Sequence, residues 1–181
     1  MDRLKIATIW LTGCSGCHMS FLDLDEWLFE LTSIADVVYT PLMDTKTFPE
    51  DVDATLVEGA VANEDNLHLI KIVRKKSKKV IAFGDCAVTG NVSAMRNLVC
   101  CPKRALETAY LELTNKQNSK IPETKEILPM LLNTVVPIHH IIKVDGFIPG
   151  CPPPAERIKL ALQLIIEGKP LILPEQELKF G

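Results

Sequence analysis

Four cysteines carry the chemistry open to this chain: Cys14-Ser15-Gly16-Cys17, then Cys86, then Cys151. Each lies just past an apolar run that reads as a β-strand, over residues 5–11, 79–83 and 141–148. Each precedes a helix or a turn. In an open parallel sheet the C-terminal strand ends gather along one edge, and binding sites form in the crevice outside it. Thiols far apart in sequence therefore converge. Four convergent thiolates suit an iron–sulfur cluster, and they also suit a structural zinc. A lone Cys-x-x-Cys pair would equally suit a thioredoxin-like redox site, but that site needs no thiols at other strand ends. Structural zinc usually takes two close Cys-x-x-Cys knuckles. Here the second pair is split across the chain, so the cluster is favoured over zinc and over simple buried thiols.

The neighbours of the four thiols sharpen this reading. Gly13, Gly16, Gly84, Gly90 and Gly150 crowd them. Glycine lets backbone approach a cluster closely, and its N–H can bond to a cluster sulfur. The run Pro149-Gly150-Cys151-Pro152-Pro153-Pro154 is a stiff turn that restricts one thiol, and it also starts a helix with proline. Cys100 and Cys101 are adjacent, and adjacent residues rarely both ligate one metal ion, so they read as free thiols.

The elements that must position these residues alternate between strand and helix. Strands are expected at 5–11, 35–39, 54–57, 79–83 and 141–148, the last with a doubtful point at Asp145-Gly146. A helix follows from Ser20, with Phe21, Leu24, Leu28 and Leu31 on one face. Asn63 caps a helix over 63–76 whose inner face carries Leu67, Ile70 and Val73. Further helices are expected over about 102–115 and 152–167, separated by a polar loop at 115–124. This alternation predicts a doubly wound α/β sheet. Residues 171–181 show too little pattern to place.

Bulk composition bounds the remaining choices. The chain has 181 residues, 47% hydrophobic and 24% charged, with a net charge of −3. That suits one domain over residues 1–181 with a full core, and argues against a general binder of nucleic acid or membrane surface. The basic run Arg74–Lys79 ends a helix, where cations suit the helix dipole. The N-terminus shows no signal-peptide layout and no twin-arginine pair, and no long apolar span occurs, so a cytoplasmic protein is expected. In that compartment six cysteines point to metal or redox chemistry rather than disulfides.

With these residues in view, the chain resembles the small subunit of [NiFe] hydrogenases, and most of all the short subunit of cytoplasmic, bidirectional NAD(P)-linked enzymes of the cyanobacterial type. Four blocks carry the resemblance: residues 10–23 around Cys14 and Cys17, residues 57–61 around Glu58, residues 84–92 around Cys86, and Gly150-Cys151-Pro152-Pro153. The resemblance implies a flavodoxin-like single domain and one [4Fe–4S] cluster held by Cys14, Cys17, Cys86 and Cys151. It implies a large subunit carrying the nickel–iron centre and a diaphorase module carrying iron–sulfur, FMN and NAD(P) sites. It implies the reaction H2 + NAD(P)+ = NAD(P)H + H+. Larger small subunits carry a C-terminal domain with two more clusters. The ligands for those are missing here, so electrons would pass to another chain.

Glu58 ends a strand at the same edge. In the resemblance it lies near the cluster, where a buried acid with a raised pKa would suit proton relay unless it is paired. His18 could reach a sulfur but reads better as a helix-start residue. His139, His140 and His68 receive no role. The chain has no phosphate-loop or dinucleotide fingerprint, so it is not expected to bind NAD itself. The rivals are a cluster subunit of a complex I-like quinone reductase, whose adjacent cysteines would follow the first strand, a zinc-stabilised interaction module, and an FMN-binding flavodoxin-like protein.

Overall fold

A computed structural model describes residues 3–99, 101–124 and 127–178. Strands β1 (Leu4–Trp10), β2 (Ala35–Tyr39), β3 (Val52–Glu58), β5 (Ser77–Phe83) and β7 (Gly146–Ile148) form one sheet in the order β2-β1-β3-β5-β7. Every neighbouring pair in it is parallel. This is the flavodoxin-like doubly wound order, with its reversal between β1 and β3. A separate antiparallel ribbon pairs β4 (Val61–Asn63) with β6 (Leu131–Val136).

The strands read as near-continuous apolar runs because both faces of the sheet are covered. On one face Ile6, Leu56, Ile81, Phe83 and Ile148 pack with Leu31 and with Ile158, Ala161, Leu162 and Ile165. Those partners belong to α2 (Trp27–Ile34) and α8 (Ala155–Ile166). On the other face Ala7, Ile9, Val57, Val80 and Ala82 pack with Ile70 and Val73 of α3 (Glu64–Lys76). Asn63 caps α3 as expected, its side chain accepting from the Asn66 amide at 2.8 Å.

Several elements differ from the sequence reading. The helix expected from Ser20 is two helices, α1 (Gly16–Leu22) and α2, parted by a turn at 23–26 where Asp25 has φ +48°. Asp23, Asp25 and Glu26 are unfavourable at the negative end of α1 and favourable before α2, so the dipole supports the break. The helix expected over 102–115 is α-helical as α7 (Pro102–Glu107) and π-helical over Thr108–Glu112. The short helices α4 (Asp85–Thr89), α5 (Asn91–Ala94) and α6 (Arg96–Val99) and the β4–β6 ribbon carried no periodic signal. Cys100 and residues 179–181 lie outside the described residues. Among the described residues, no helix is long and apolar enough to cross a membrane.

The strand expected over 141–148 is three residues long, because Asp145 turns aside. Its carboxylate accepts from the Val80 amide at 2.8 Å and from the Arg74 guanidinium, and its own amide donates to the Val80 carbonyl at 2.8 Å. Arg74 also donates to the Ser77 and Lys78 carbonyls. This knot holds β7 against β5, and β7 leads to Cys151. Burial opposes the Asp145 charge, but Arg74, the Val80 amide and Lys143 outweigh it and hold the carboxyl below its ordinary value of 3.8. The unfolded chain then binds more protons than the folded one, so the contribution is complete above that value and lost as pH falls through the lower folded value. Asp145→Asn should cost about 1–2 kcal/mol at pH 7 and flatten the acid limb of stability. Urea unfolding at pH 7 and at pH 3 checks both, and a wild-type acid limb in the variant would contradict the assignment.

Candidate functional site

The sheet order reverses at β1 and β3, where Trp10 stands opposite Glu58. Chains leaving these neighbouring strands diverge, and a crevice opens beyond them. Past β1 the chain turns through Thr12-Gly13 to Cys14 and enters α1, whose second residue is Cys17. Past β5 it turns at Gly84 into α4, whose second residue is Cys86. Past β7 it passes Pro149-Gly150 to Cys151. Three parallel strands therefore deliver four thiols to one edge. Cys17 and Cys86 are buried, while Cys14 and Cys151 are exposed.

Short-range contacts fix this arrangement. Gly84 has φ +81°, and a Cβ there would fall 2.1 Å from the Cys17 sulfur. A Cβ on Gly16 would lie 3.2 Å from the Cys14 sulfur. The Gly84 amide donates to the Ile148 carbonyl at 2.8 Å and the Asp85 amide to the Gly150 carbonyl at 2.9 Å. The Asp85 carboxylate accepts from the Gly150 amide at 2.7 Å. The turns bearing Cys86 and Cys151 are thus bonded to each other. The Ser20 hydroxyl donates to the Pro153 carbonyl at 2.6 Å, tying α1 to the Cys151 turn. Gly150 has φ +140°, and a Cβ there would meet Pro153 at 2.4 Å.

The electrostatics favour a cation among the sulfurs. Burial pushes the Cys17 thiol up strongly, and the charges of Glu58, Cys86, Cys14 and Cys151 add to it. Burial also raises Cys86, partly offset by hydrogen bonds from Ser93. Such thiols lose their protons when a metal centre supplies the opposing charge. Among the described residues, no three His, Cys, Asp or Glu side chains stand close enough to share one metal ion. An all-sulfur donor set brought from three strand ends, with Gly84 pressed against the Cys17 sulfur and Gly16 against the Cys14 sulfur, fits the corners of an iron–sulfur cluster.

Glu58 is 1% exposed and His18 is 3% exposed. The Glu58 carboxylate accepts from the His18 amide at 3.1 Å and the Cys17 amide at 3.4 Å, and it bonds the His18 ring at Nδ1. It therefore caps α1 from across the sheet, where an anion suits the helix dipole. The other ring nitrogen, Nε2, meets the Thr8 hydroxyl at 2.9 Å. Both ring nitrogens face oxygen, so His18 is the helix-start residue the sequence suggests and donates to no sulfur. His68, His139 and His140 are exposed and bond none of Glu58, His18 or the four thiols in the hydrogen bonds described. Three of the five cations in the basic run form ion pairs: Arg74 with Asp145, Lys76 with Glu50 and Lys78 with Asp53. Cys101 is exposed at the start of α7.

Sequence reasoning missed Asn91 and Ser93. The Asn91 side-chain amide donates to the Cys151 sulfur at 3.3 Å. Ser93 offsets part of the burial effect on the Cys86 thiol and donates its hydroxyl to the Thr12 carbonyl at 2.9 Å. Nothing in their spacing marks them. Their one signal is their place just after a ligand-bearing turn.

Residues 14–165 match the family model described as NADH ubiquinone oxidoreductase, 20 Kd subunit. The chain is 39% identical to a subunit of the vhu F420-non-reducing hydrogenase of Methanococcus voltae, covering 97% of this chain and 60% of that protein. It is 36% identical to the delta subunit of the NAD-reducing hydrogenase HoxS of Cupriavidus necator, covering 95% of this chain and 83% of that one. A crystal structure of NAD+-reducing [NiFe]-hydrogenase in the H2-reduced state contains a chain that superposes with a TM-score of 0.94 at 36% identity, covering 99% of this chain and 100% of that one. The chain belongs to this family, on the branch of the [NiFe] hydrogenase small subunits. The family model carries the name of the quinone-reductase rival, whereas these relatives are hydrogenase chains. The chain spans about three-fifths of the length of the curated F420-non-reducing hydrogenase chains it matches.

Gly84→Ala tests the packing around the four thiols. The added methyl collides with the Cys17 sulfur and strains a positive φ, a combined cost of about 1–3 kcal/mol. Thermal unfolding should show a midpoint lower by roughly 2–12 °C, at about 2–4 °C per kcal/mol for this size. An unchanged midpoint would mean that Gly84 does not press on Cys17.

Proposed function

We propose that this chain is the electron-transfer small subunit of a cytoplasmic NAD(P)-linked [NiFe] hydrogenase, an oxidoreductase whose complex runs H2 + NAD(P)+ = NAD(P)H + H+. Cys14, Cys17, Cys86 and Cys151 are the ligands of one [4Fe–4S] cluster in this reading. The observation that carries it is the delivery of four thiols from three parallel strands to one edge, with the Cys86 and Cys151 turns locked together through Asp85 and Gly150. The likeness to NAD-reducing hydrogenase chains supports it.

When bound, the cluster supplies one-electron transfer. The chain's own residues hold it, exclude water from two of its ligands and set its surroundings. Cys17 and Cys86 sit on the buried side. Cys14 and Cys151 open toward the surface, where a large subunit with the nickel–iron centre would dock and shorten the path for electrons. A diaphorase module with iron–sulfur and FMN groups would take electrons onward to NAD(P)+. Glu58 is proposed as a proton-relay group at that boundary, beside its role in capping α1.

A second reading rests on the likeness to F420-non-reducing hydrogenase chains, which reaches 39–41% identity. There the same cluster and large-subunit partner are kept, and an electron acceptor other than NAD(P)+ receives the electrons. Hydrogen-dependent reduction of NAD+ or NADP+ by the purified complex separates the two.

Oxygen-free complex should contain about four iron and four acid-labile sulfide per chain beyond those of its partners. Replacing Cys86 and Cys151 together by serine should remove them along with the associated absorbance. Zinc in their place would establish the interaction-module rival. Glu58→Gln keeps the size of the side chain, keeps one acceptor oxygen and removes the titrating group, and should lower hydrogen turnover about tenfold or more with iron retained. Wild-type turnover in that variant would leave Glu58 as a capping residue alone.

A further inference from the structure

Asn91 occupies a backbone position that most side chains avoid. Its φ is +34°, in the left-handed region, directly after Gly90 at φ +89°. Asn tolerates this region better than other non-glycine residues, yet glycine would adopt it at lower cost. The side chain held there is not idle. Its amide donates to the Cys151 sulfur at 3.3 Å.

The same short segment reaches a second thiol. Ser93, two residues on, stands beside Cys86 and offsets part of the rise that burial imposes on that thiol. Its hydroxyl donates to the Thr12 carbonyl at 2.9 Å. Residues 91–93 thus span the gap between two thiols that arrive on different strands, β5 and β7. Thr12 in turn stands two residues before Cys14, so one segment touches the surroundings of three of the four thiols.

We infer that Asn91 is a potential-tuning residue, its side-chain amide raising the reduction potential of the centre bound by Cys151; this rests on the cluster reading above. The reason is electrostatic. Adding one electron increases the negative charge spread over the cluster and its thiolates. An N–H dipole aimed at one of those sulfurs stabilises the reduced form more than the oxidised form. Removing the donor lowers the potential. The surface position of Cys151 gives Asn91 added weight, because solvent exposure also affects potential and the amide occupies one approach to the sulfur.

The test uses the assembled, anaerobically purified complex and two variants. Asn91→Gly removes the donor and relieves the backbone, so it adds no strain of its own. Asn91→Asp keeps the shape and the tolerance for left-handed backbone, and replaces the donor with an acceptor. Iron and sulfide content is measured first on wild type. Its absence there sinks the cluster reading itself, independently of Asn91. With content established, a mediated redox titration followed by electron paramagnetic resonance reads the potential.

At a fixed solution potential, Asn91→Gly should shift the reduced-to-oxidised ratio about three- to tenfold toward oxidised, or roughly 30–60 mV for one electron. Asn91→Asp should shift it further the same way. Should the Asp variant lose iron, the uncharged Gly variant carries the test. A purely conformational role for Asn91 predicts that Asn91→Gly titrates at the wild-type potential, and that result overturns the inference. So does a shift toward the reduced form.

Discussion

A buried carboxylate is the contact on which the rest of the site depends. Glu58 lies at the end of β3 with 1% of its surface exposed, inside a protein that would penalise a lone acid by several kcal/mol. It is kept there because α1 begins opposite it. The first amides of that helix, at Cys17 and His18, point at its oxygens, and the His18 ring closes the remaining side. Helix and strand therefore hold each other in register over a gap of 40 residues. Cys17 is the residue through which this contact reaches the thiols. Were α1 to slide along the sheet, the buried sulfur would move with it, and Gly84 has no room for that movement.

From this anchor the site is assembled by links between turns rather than by any single loop. Asp85 bonds the Gly150 amide, Ser20 bonds the Pro153 carbonyl, and Ser93 bonds the Thr12 carbonyl. Each link joins two of the segments that carry cysteines. Farther out, the Arg74–Asp145 knot holds the short β7 beside β5, so the segment bearing Cys151 is fastened at both ends. This concentration of bonds allows two thiols to be buried and two to stay open. A transfer site needs both conditions: shelter from water on one side, and on the other a short distance to a partner.

The legibility of this architecture in the sequence follows the range of the forces involved. Asn63 announced α3, since capping and a 3.6-residue period act within a few positions. β2 was legible over its whole length, as an apolar run closed by Thr40-Pro41. The cysteines were legible as a group because each follows a strand, and parallel strands share an edge. By contrast, the β4–β6 ribbon pairs residues about 70 positions apart through three residues on one side, too short a segment to show a period. The strand before Cys151 was overestimated because Asp145 gives its carboxylate to Val80 and Arg74, partners distant in sequence. His18 was correctly placed at a helix start, but its pairing with Glu58 and Thr8 was out of reach.

Residue types and strand periodicity alone determined the sheet class, the edge on which chemistry collects and the four sulfurs gathered there, since each depends on interactions among near neighbours. Tertiary structure alone decided which sulfurs are buried, that Glu58 caps a helix as well as ending a strand, and that Asn91 and Ser93 reach two of the sulfurs. Those outcomes depend on how separate turns approach to within a hydrogen bond of one another. Packing of both faces of the sheet sets that approach, and no local pattern encodes it.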